Sequence, residues 1–162
     1  MADGGFEFPV DRTQVMLFAR SLLDIRPEFS EPNNPATRAL GGIVVPPTFV
    51  QCSAHWDPDY FLDLTRPRKG TAPRHRGDGP EGGGGGVARG LHAEQHYEYH
   101  NPVHVGDTLT VTSRPGERWE KQGRRGGKLL FSESITEYRN QDGVLCVTAR
   151  SIGVQTERAV DQ

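Results

Sequence analysis

The chain has 162 residues, of which 34% are hydrophobic, with 20 glycines and 12 prolines. This length supports one hydrophobic core, so we expect a single domain over residues 1–162. The formal net charge of −2 provides no general attraction for polyanions, which argues against nucleic acid or an anionic membrane surface as a partner.

The location of the protein is predicted from its ends, its apolar runs and its cysteines. No apolar run approaches the roughly 18 residues of a membrane span, and the first residues lack the basic and apolar stretches of a secretory leader. Cys52 and Cys146 form no CxxC pair and are expected to be two thiols of a reducing compartment. These features predict a cytoplasmic protein.

Two helices are predicted in the first third of the chain. Residues 11–25 carry apolar side chains three and four positions apart, with Asp11 as a cap and Pro27 as a stop. Residues 30–42 are rich in proline, asparagine and glycine, which predicts irregular structure. Residues 47–56 are apolar on most sides, which predicts a buried α-helix.

Residues 66–90 are basic and then glycine-rich, which predicts a flexible loop within the domain. Its glycine run has no Gly-Lys-Ser/Thr ending, so it is not a phosphate-binding loop of the nucleotide-binding type. The basic residues here and near the later hairpin suit the phosphate of coenzyme A or of an acyl carrier, or are simply solvated. They are Arg66, Arg68, Lys69, Arg74, Arg76, Arg124, Arg125 and Lys128.

The second half of the chain reads as antiparallel strands. Glycine-rich turns at 123–127 and 140–143 predict two hairpins, and a bend at Pro115-Gly116 separates two parts of one strand. The predicted strands cover 91–100, 108–113 with an extension through Trp119, 128–138 and 144–154. Helices followed by strands indicate an α+β domain.

Four histidines, His92, His96, His100 and His104, recur every four residues. On a strand, neighbours in this series lie about 13 Å apart, too far to share one ion, so no metal site is predicted. Regular alternation of the first strand places His92 on one face and Gln95 on the other.

Three segments together resemble the MaoC-like dehydratase N-terminal domain, also called the FAS1-like dehydratase domain. They are Gly-Gly-Ile-Val-Val-Pro-Pro-Thr-Phe at 41–49, the run from Leu91 to Leu109, and the run from Trp119 to Leu129. The resemblance extends over about residues 8–155. It implies a single hotdog fold, in which a long antiparallel sheet wraps around a central α-helix, and which pairs with a second hotdog unit edge to edge.

The resemblance also implies an activity, the reversible hydration of a trans-2-enoyl thioester to a (3R)-3-hydroxyacyl thioester. The substrate would be an acyl-CoA or acyl-ACP, with no further cofactor. Active members carry an Asp and a His in the pattern Asp-x-Asn-Pro-x-His. This chain keeps Asp24 and Pro27 but has Arg26 at the Asn position and Phe29 at the His position, and a phenylalanine cannot transfer a proton.

Three functions remain open from the sequence. The first is a non-catalytic hydratase subunit that pairs with a His-bearing hotdog partner, or with itself, and shapes the acyl-binding tunnel. The second is an autonomous hydratase that uses Asp24 with His92 or His55. The third is a non-enzymatic protein that binds acyl thioesters. A hotdog thioesterase is less favoured because residues 47–56 contain no acidic residue.

The candidate site residues follow from the resemblance. Asp24 would orient water or a partner residue, unless it is simply solvated. The start of the central helix would line the pocket and offer a backbone N–H to the thioester oxygen, or would only pack in the core; its residues are Pro46, Pro47, Thr48 and Phe49. His92 and Gln95 would face the substrate channel or the dimer seam.

Overall fold

The fold was obtained as a computed structural model, which describes residues 5–58, 90–123 and 127–156. It contains one antiparallel sheet of five strands in the order β1-β3-β4-β5-β2. The strands are β1 (Phe6–Pro9), β2 (Gly90–Tyr99), β3 (Thr108–Gln122), β4 (Lys128–Arg139) and β5 (Leu145–Thr156). The helices are α1 (Arg12–Ser21), α2 (Pro35–Ala39) and two 3₁₀ helices, Pro27–Phe29 and Phe49–His55. The predicted α+β class is confirmed.

Helix α1 begins as predicted but ends early. The Asp11 carboxylate accepts hydrogen bonds from the N–H groups of Thr13 and Gln14, at 2.8 and 3.1 Å. The chain then leaves the helix at Leu23, whose φ of +57° lies in the left-handed region. The Asp24 N–H donates to the Ala19 carbonyl at 2.9 Å, which completes a Schellman-type cap. The predicted end at residue 25 is therefore wrong.

The segment predicted to be irregular, 30–42, contains the short helix α2. Asn34 caps it by accepting a hydrogen bond from the Ala36 N–H at 3.0 Å, and Pro35 occupies its first position. Composition favoured turns here, but an Asn-Pro pair is also a helix start. Only one and a half turns follow before Gly41 and Gly42, both with positive φ.

The segment predicted as a buried α-helix is a 3₁₀ helix, Phe49–His55, which we call the central helix. Its hydrogen bonds span three residues, as from the Trp56 N–H to the Ser53 carbonyl at 2.8 Å. Prolines on both sides limit it to seven residues, so it does not settle into α-helical geometry. The prediction of burial is confirmed, since Phe49 and Val50 are fully buried.

The core forms between the central helix, α1 and one face of the sheet. The Phe49 ring lies 5.6 Å from that of Phe8 on β1 and 5.5 Å from that of Phe18 on α1. Burying each large apolar side chain contributes about 1.5–3 kcal/mol. Strand β1 was not predicted, because four residues ending in proline give too little alternation to recognise.

The later strands match their predicted spans closely. Strand β3 continues through the bend, with a shift in its pairing to β4 between Pro115 and Arg118. The second hairpin turns at Gly143, with a φ of +77°. The first closes from the Gly123 N–H to the Gly127 carbonyl at 2.9 Å, while 124–126 lie outside the described residues. The predicted loop over 66–90 also lies outside them, except for Gly90, which begins β2.

A bulge in β2 changes the face on which its first residues lie. The pairing with β5 shifts between His92 and Glu94, so that His92 lies opposite Gly153 and Gln95 opposite Ser151. His92 and Gln95 therefore share the face that carries the central helix. The predicted placement on opposite faces is wrong, because regular alternation takes no account of an extra residue.

Both cysteines are free, with Cys146 buried and Cys52 half-buried. Burial raises the pKa of both thiols above the usual value. In the part of the chain that the structure describes, no helix has the length and apolar character needed to span a bilayer.

Candidate functional site

Asp24, which the resemblance aligns with the aspartate of the Asp-x-Asn-Pro-x-His pattern, is held in an ion pair. Arg26 donates from Nε to Oδ1 of Asp24 at 3.0 Å and from Nη2 to Oδ2 at 2.7 Å. This hydrogen-bonded pairing lowers the pKa of the Asp24 carboxyl below its ordinary value. Asp24 is therefore ionised at neutral pH and its two oxygens are already engaged.

Phe29, which the resemblance aligns with the histidine of that pattern, is part of the protein interior. The Phe29 side chain is 4% exposed, and the Arg26 guanidinium lies over its ring, 4.7 Å from the centroid. Asp24, Arg26 and Phe29 thus form one compact cluster without a proton donor or acceptor of near-neutral pKa. Asp24 is paired with Arg26, whereas His92 Nε2 lies 3.1 Å from Gln95 Oε1, so His92 is not the partner of Asp24.

An apolar cavity lies at the start of the central helix, between that helix and strands β2 and β5. Its volume is about 350 Å³. The residues that give it its apolar character are Val44, Val45, Pro47, Val50, Val103 and Val147. The Tyr99 hydroxyl donates to the Pro47 carbonyl at 2.9 Å and so ties β2 to the helix start. This apolar cavity has the chemistry to accept an alkyl chain.

The four residues predicted to line a pocket at the helix start occupy different environments. Pro47 lines the apolar cavity. Pro46 and Phe49 are fully buried in the core, and Thr48 is exposed immediately before the helix. Asp24 lines neither this cavity nor the groove described next.

A second recess, which we call the polar groove, lies beside the last turn of the central helix and has a volume of about 190 Å³. Its lining is dominated by side chains that form hydrogen bonds. They are Gln51, Ser53 and Asp57 from the helix region and His92, Gln95, Ser113, Thr136, Tyr138 and Ser151 from the sheet. Two of the predicted site residues, His92 and Gln95, thus come together here.

Three side-chain pairs organise the polar groove. The hydroxyls of Ser53 and Tyr138 lie 3.3 Å apart, and those of Ser113 and Thr136 lie 2.8 Å apart. His92 Nε2 lies 3.1 Å from Gln95 Oε1. Burial raises the pKa of the Tyr138 phenol, so the phenol remains protonated and can donate.

Tyr97 lies between the apolar cavity and the polar groove along β2. Its hydroxyl donates to Gln51 Oε1 at 2.9 Å, and its ring stacks with that of Tyr99 at 6.1 Å. Sequence reasoning missed Tyr97 and the hydroxyl residues of the groove as site residues. One signal was available, since every second residue of β4 from 132 to 138 carries a hydroxyl; these are Ser132, Ser134, Thr136 and Tyr138.

The remaining histidines have separate partners. His96 contacts Glu94 at 3.0 Å, His100 contacts Thr148 at 3.0 Å and His104 contacts the Leu40 carbonyl at 2.8 Å. Across 5–58, 90–123 and 127–156, no three histidines, cysteines or acids lie close enough together to hold a metal ion.

The basic residues suggested for a phosphate are largely outside the described residues. This applies to the cluster from Arg66 to Arg76 and to Arg124 and Arg125. Lys128 is described and forms an ion pair with Glu120 at 3.1 Å.

A five-stranded antiparallel sheet packed on one central helix defines a hotdog protein. The family model described as "FAS1-like, dehydratase domain region" matches residues 2–149, so the chain belongs to this family of hotdog hydratases and dehydratases. No curated protein matches the chain.

Solved structures share this fold at low sequence identity. The ChsH1-ChsH2 complex from Mycobacterium tuberculosis matches with a TM-score of 0.67 and 16% identity, over 97% of this chain and 85% of that one. The HadBC (3R-hydroxyacyl-ACP dehydratase) complex of the same organism matches with a TM-score of 0.61 and 21% identity, over 93% of each chain.

A third structure, of a MaoC-like dehydratase, matches with a TM-score of 0.66 and 20% identity. The match covers 93% of this chain but only 39% of that one, so this chain spans less than half the length of that protein. The predicted membership and the predicted hotdog fold are confirmed.

Proposed function

We propose that this chain is the non-catalytic subunit of an (R)-specific enoyl-thioester hydratase or 3-hydroxyacyl-thioester dehydratase. The observation that carries the proposal is the cluster at the family's catalytic position. Arg26 engages Asp24 there, and the buried Phe29 takes the place of the histidine. A catalytic histidine would then come from a partner hotdog unit.

The chemistry explains why this cluster matters. Hydration forms a bond between a water oxygen and C3 of the enoyl group, while one proton leaves the water and one reaches C2. Efficient transfer of both protons needs groups whose pKa values lie near the operating pH. An aspartate with a lowered pKa is a weak base, and a phenylalanine transfers no proton.

The substrate of the assembled enzyme would be an acyl thioester carried by coenzyme A or by an acyl carrier protein, with no further cofactor. The apolar cavity at the helix start supports this assignment, since its lining suits an acyl chain. Pro47 would contact the acyl chain of the substrate directly. Pro46, Thr48 and Phe49 would act by positioning the helix start beside it.

The partner would bind at the edge of the sheet formed by β2. In the described part of the chain, β2 pairs with β5 on one side only. The His100 N–H donates to the Cys146 carbonyl at 2.8 Å. Because N–H directions alternate along an antiparallel strand, those of Gln95, Tyr97 and Tyr99 point away from β5 and can pair with another strand.

The names of two similar structures support a heteromeric arrangement, since HadBC and ChsH1-ChsH2 are each complexes of two different components. A homodimer through the same edge is the alternative arrangement. The free thiols of Cys52 and Cys146 support a reducing, cytoplasmic location.

The direct test is hydration of crotonyl-CoA by the purified chain, followed through the loss of enoyl absorbance, with molecular mass measured by light scattering. We expect a dimer without measurable turnover. Robust turnover would overturn the proposal and favour an autonomous hydratase. Saturable acyl-CoA binding that stimulates no hydratase partner would instead favour a non-enzymatic binding protein.

A gain-of-function pair makes the test sharper. The double variant Arg26→Asn with Phe29→His restores the family's Asp-x-Asn-Pro-x-His pattern, and we expect it to hydrate crotonyl-CoA measurably. Arg26→Asn alone is the matched control, since it releases Asp24 without supplying a histidine; it should remain inactive. Activity in the single variant equal to that in the double variant would contradict the role given to Phe29. Circular dichroism checks that each variant is folded.

A further inference from the structure

The polar groove differs from the apolar cavity in the chemistry of its walls, although both recesses border the central helix. The apolar cavity is lined mainly by valines and prolines, whereas the groove receives hydroxyl or amide groups from the helix and from strands β2 to β5. Two of these residues, Ser53 and Tyr138, are buried, and a protein interior usually excludes polar groups unless they are hydrogen-bonded. Their concentration at one recess therefore points to a ligand with polar atoms.

The hydroxyl donors of the groove determine which ligand atoms can bind there. Each hydroxyl has one O–H donor, and the contact between Ser53 and Tyr138 uses only one of the two donors. The same holds for Ser113 and Thr136. Within the described residues, each pair therefore leaves one O–H without a protein acceptor. These donors suit acceptor oxygens on a ligand.

The remaining side chains of the groove select an uncharged ligand. Gln95 accepts from His92 Nε2 through Oε1 and keeps its amide N–H donors for other partners. The described lining residues include no lysine or arginine that could neutralise an anion. Ketone, hydroxyl or ether oxygens on an otherwise apolar chain satisfy all of these conditions.

Resting on the function proposed above, we propose that the polar groove binds oxygen substituents on the outer part of the acyl chain. The substrate class is then an acyl thioester that carries ketone or hydroxyl groups away from the thioester, rather than a plain alkyl chain. Tyr97 lies between the two recesses on β2. It marks where the acyl chain of the substrate would pass from the apolar cavity into the polar groove.

The test compares matched ligands by isothermal titration calorimetry on the purified full chain. The probes are decanoyl-CoA and a series of oxodecanoyl-CoA isomers with the ketone at successive outer carbons. One added hydrogen bond changes affinity by about 3- to 10-fold. We expect at least one isomer to bind more tightly than decanoyl-CoA by this factor.

Variants assign the preference to the groove. Tyr138→Phe and Thr136→Val each remove one groove hydroxyl while retaining side-chain volume, and the two together should abolish the preference, so that no oxo isomer binds more tightly than decanoyl-CoA. Ser134→Ala is the matched control. Ser134 lies on the same face of β4 but does not line the groove, so its loss should preserve the preference.

Each outcome separates this inference from the proposed function. Equal or weaker binding of every oxo isomer, with decanoyl-CoA still bound, overturns the groove assignment and leaves the proposed function in place. A preference that survives in the groove variants also overturns it. Binding of no acyl-CoA at all overturns both.

Discussion

Leu23 adopts a backbone conformation that is uncommon for a branched residue. It occupies the position after the α1 cap with a φ of +57°, and its side chain is 87% exposed. Left-handed geometry costs an L-residue roughly 1–2 kcal/mol, and glycine is the usual residue at this position. The conformation nonetheless directs the chain into the turn that carries Asp24.

Replacing Leu23 by glycine should therefore stabilise the protein. We expect Leu23→Gly to raise the free energy of unfolding by about 1 kcal/mol, because the strain is relieved and little buried surface is lost. Urea denaturation followed by circular dichroism measures the change. Leu22→Gly is the matched control, since Leu22 has a φ of −89° and gains nothing from glycine; it should lower stability. A stability loss in both variants would show that Leu23 makes contacts that matter more than its strain.

Individual site residues were predictable only where a motif aligned them. The departure at Arg26 and Phe29 could be recognised from sequence because the motif fixes the spacing. The Arg26–Asp24 ion pair was not predicted, since two residues in a turn contact each other only with suitable backbone geometry. The meeting of Ser53 with Tyr138, far apart in sequence, depends wholly on the fold.

At the scale of elements, two tyrosines connect β2 to the central helix. Tyr97 donates to Gln51 and Tyr99 donates to the Pro47 carbonyl, both at 2.9 Å. These bonds fix the helix relative to the sheet on the side away from Phe8. The width of the apolar cavity at the helix start depends on the second bond, since Pro47 and Tyr99 both line it.

Tyr97→Phe should cost about 1 kcal/mol of unfolding free energy, the usual worth of one neutral hydrogen bond. Thermal or urea denaturation measures it. A double-mutant cycle with Gln51→Met isolates the pair, because once Gln51 is gone the tyrosine hydroxyl has lost its acceptor. The double variant should then lose little more than Gln51→Met alone. Fully additive losses would mean that the hydroxyl stabilises the protein in some other way.

Regular elements were predicted better than irregular ones. Four of the strands followed from alternation and glycine turns, and α1 from its apolar spacing and cap. The 3₁₀ geometry of the central helix was missed because the same apolar residues suit either helix type. The bulge beside His92 was missed because it depends on pairing with β5, which a single strand does not reveal.

For the whole molecule, the partner site proposed at the β2 edge can be tested through the state of association. Gln95→Pro removes an N–H that points away from β5 and so should block pairing with another strand while retaining the fold. We expect light scattering to show a monomer for this variant and a dimer for the unchanged chain.

Glu98→Pro provides the contrast, because its N–H points toward β5 and its loss breaks the internal ladder. This variant should lose stability rather than association alone. A dimer that persists in a folded Gln95→Pro variant would place the partner elsewhere on the molecule.

The strand order also sets the sequence in which the protein assembles. Strands β3, β4 and β5 are joined by short hairpins, so their contacts form at little entropic cost. Strand β1 must find β3 across about a hundred residues, as in the pairing of Phe6 with Val111, and β2 must find β5 across 48 to 65 residues. Because long loops close slowly, we expect the three-stranded meander to form early and both outer strands to join late. The edge proposed for a partner is thus completed only after the meander has formed, which would couple subunit association to a late step of folding.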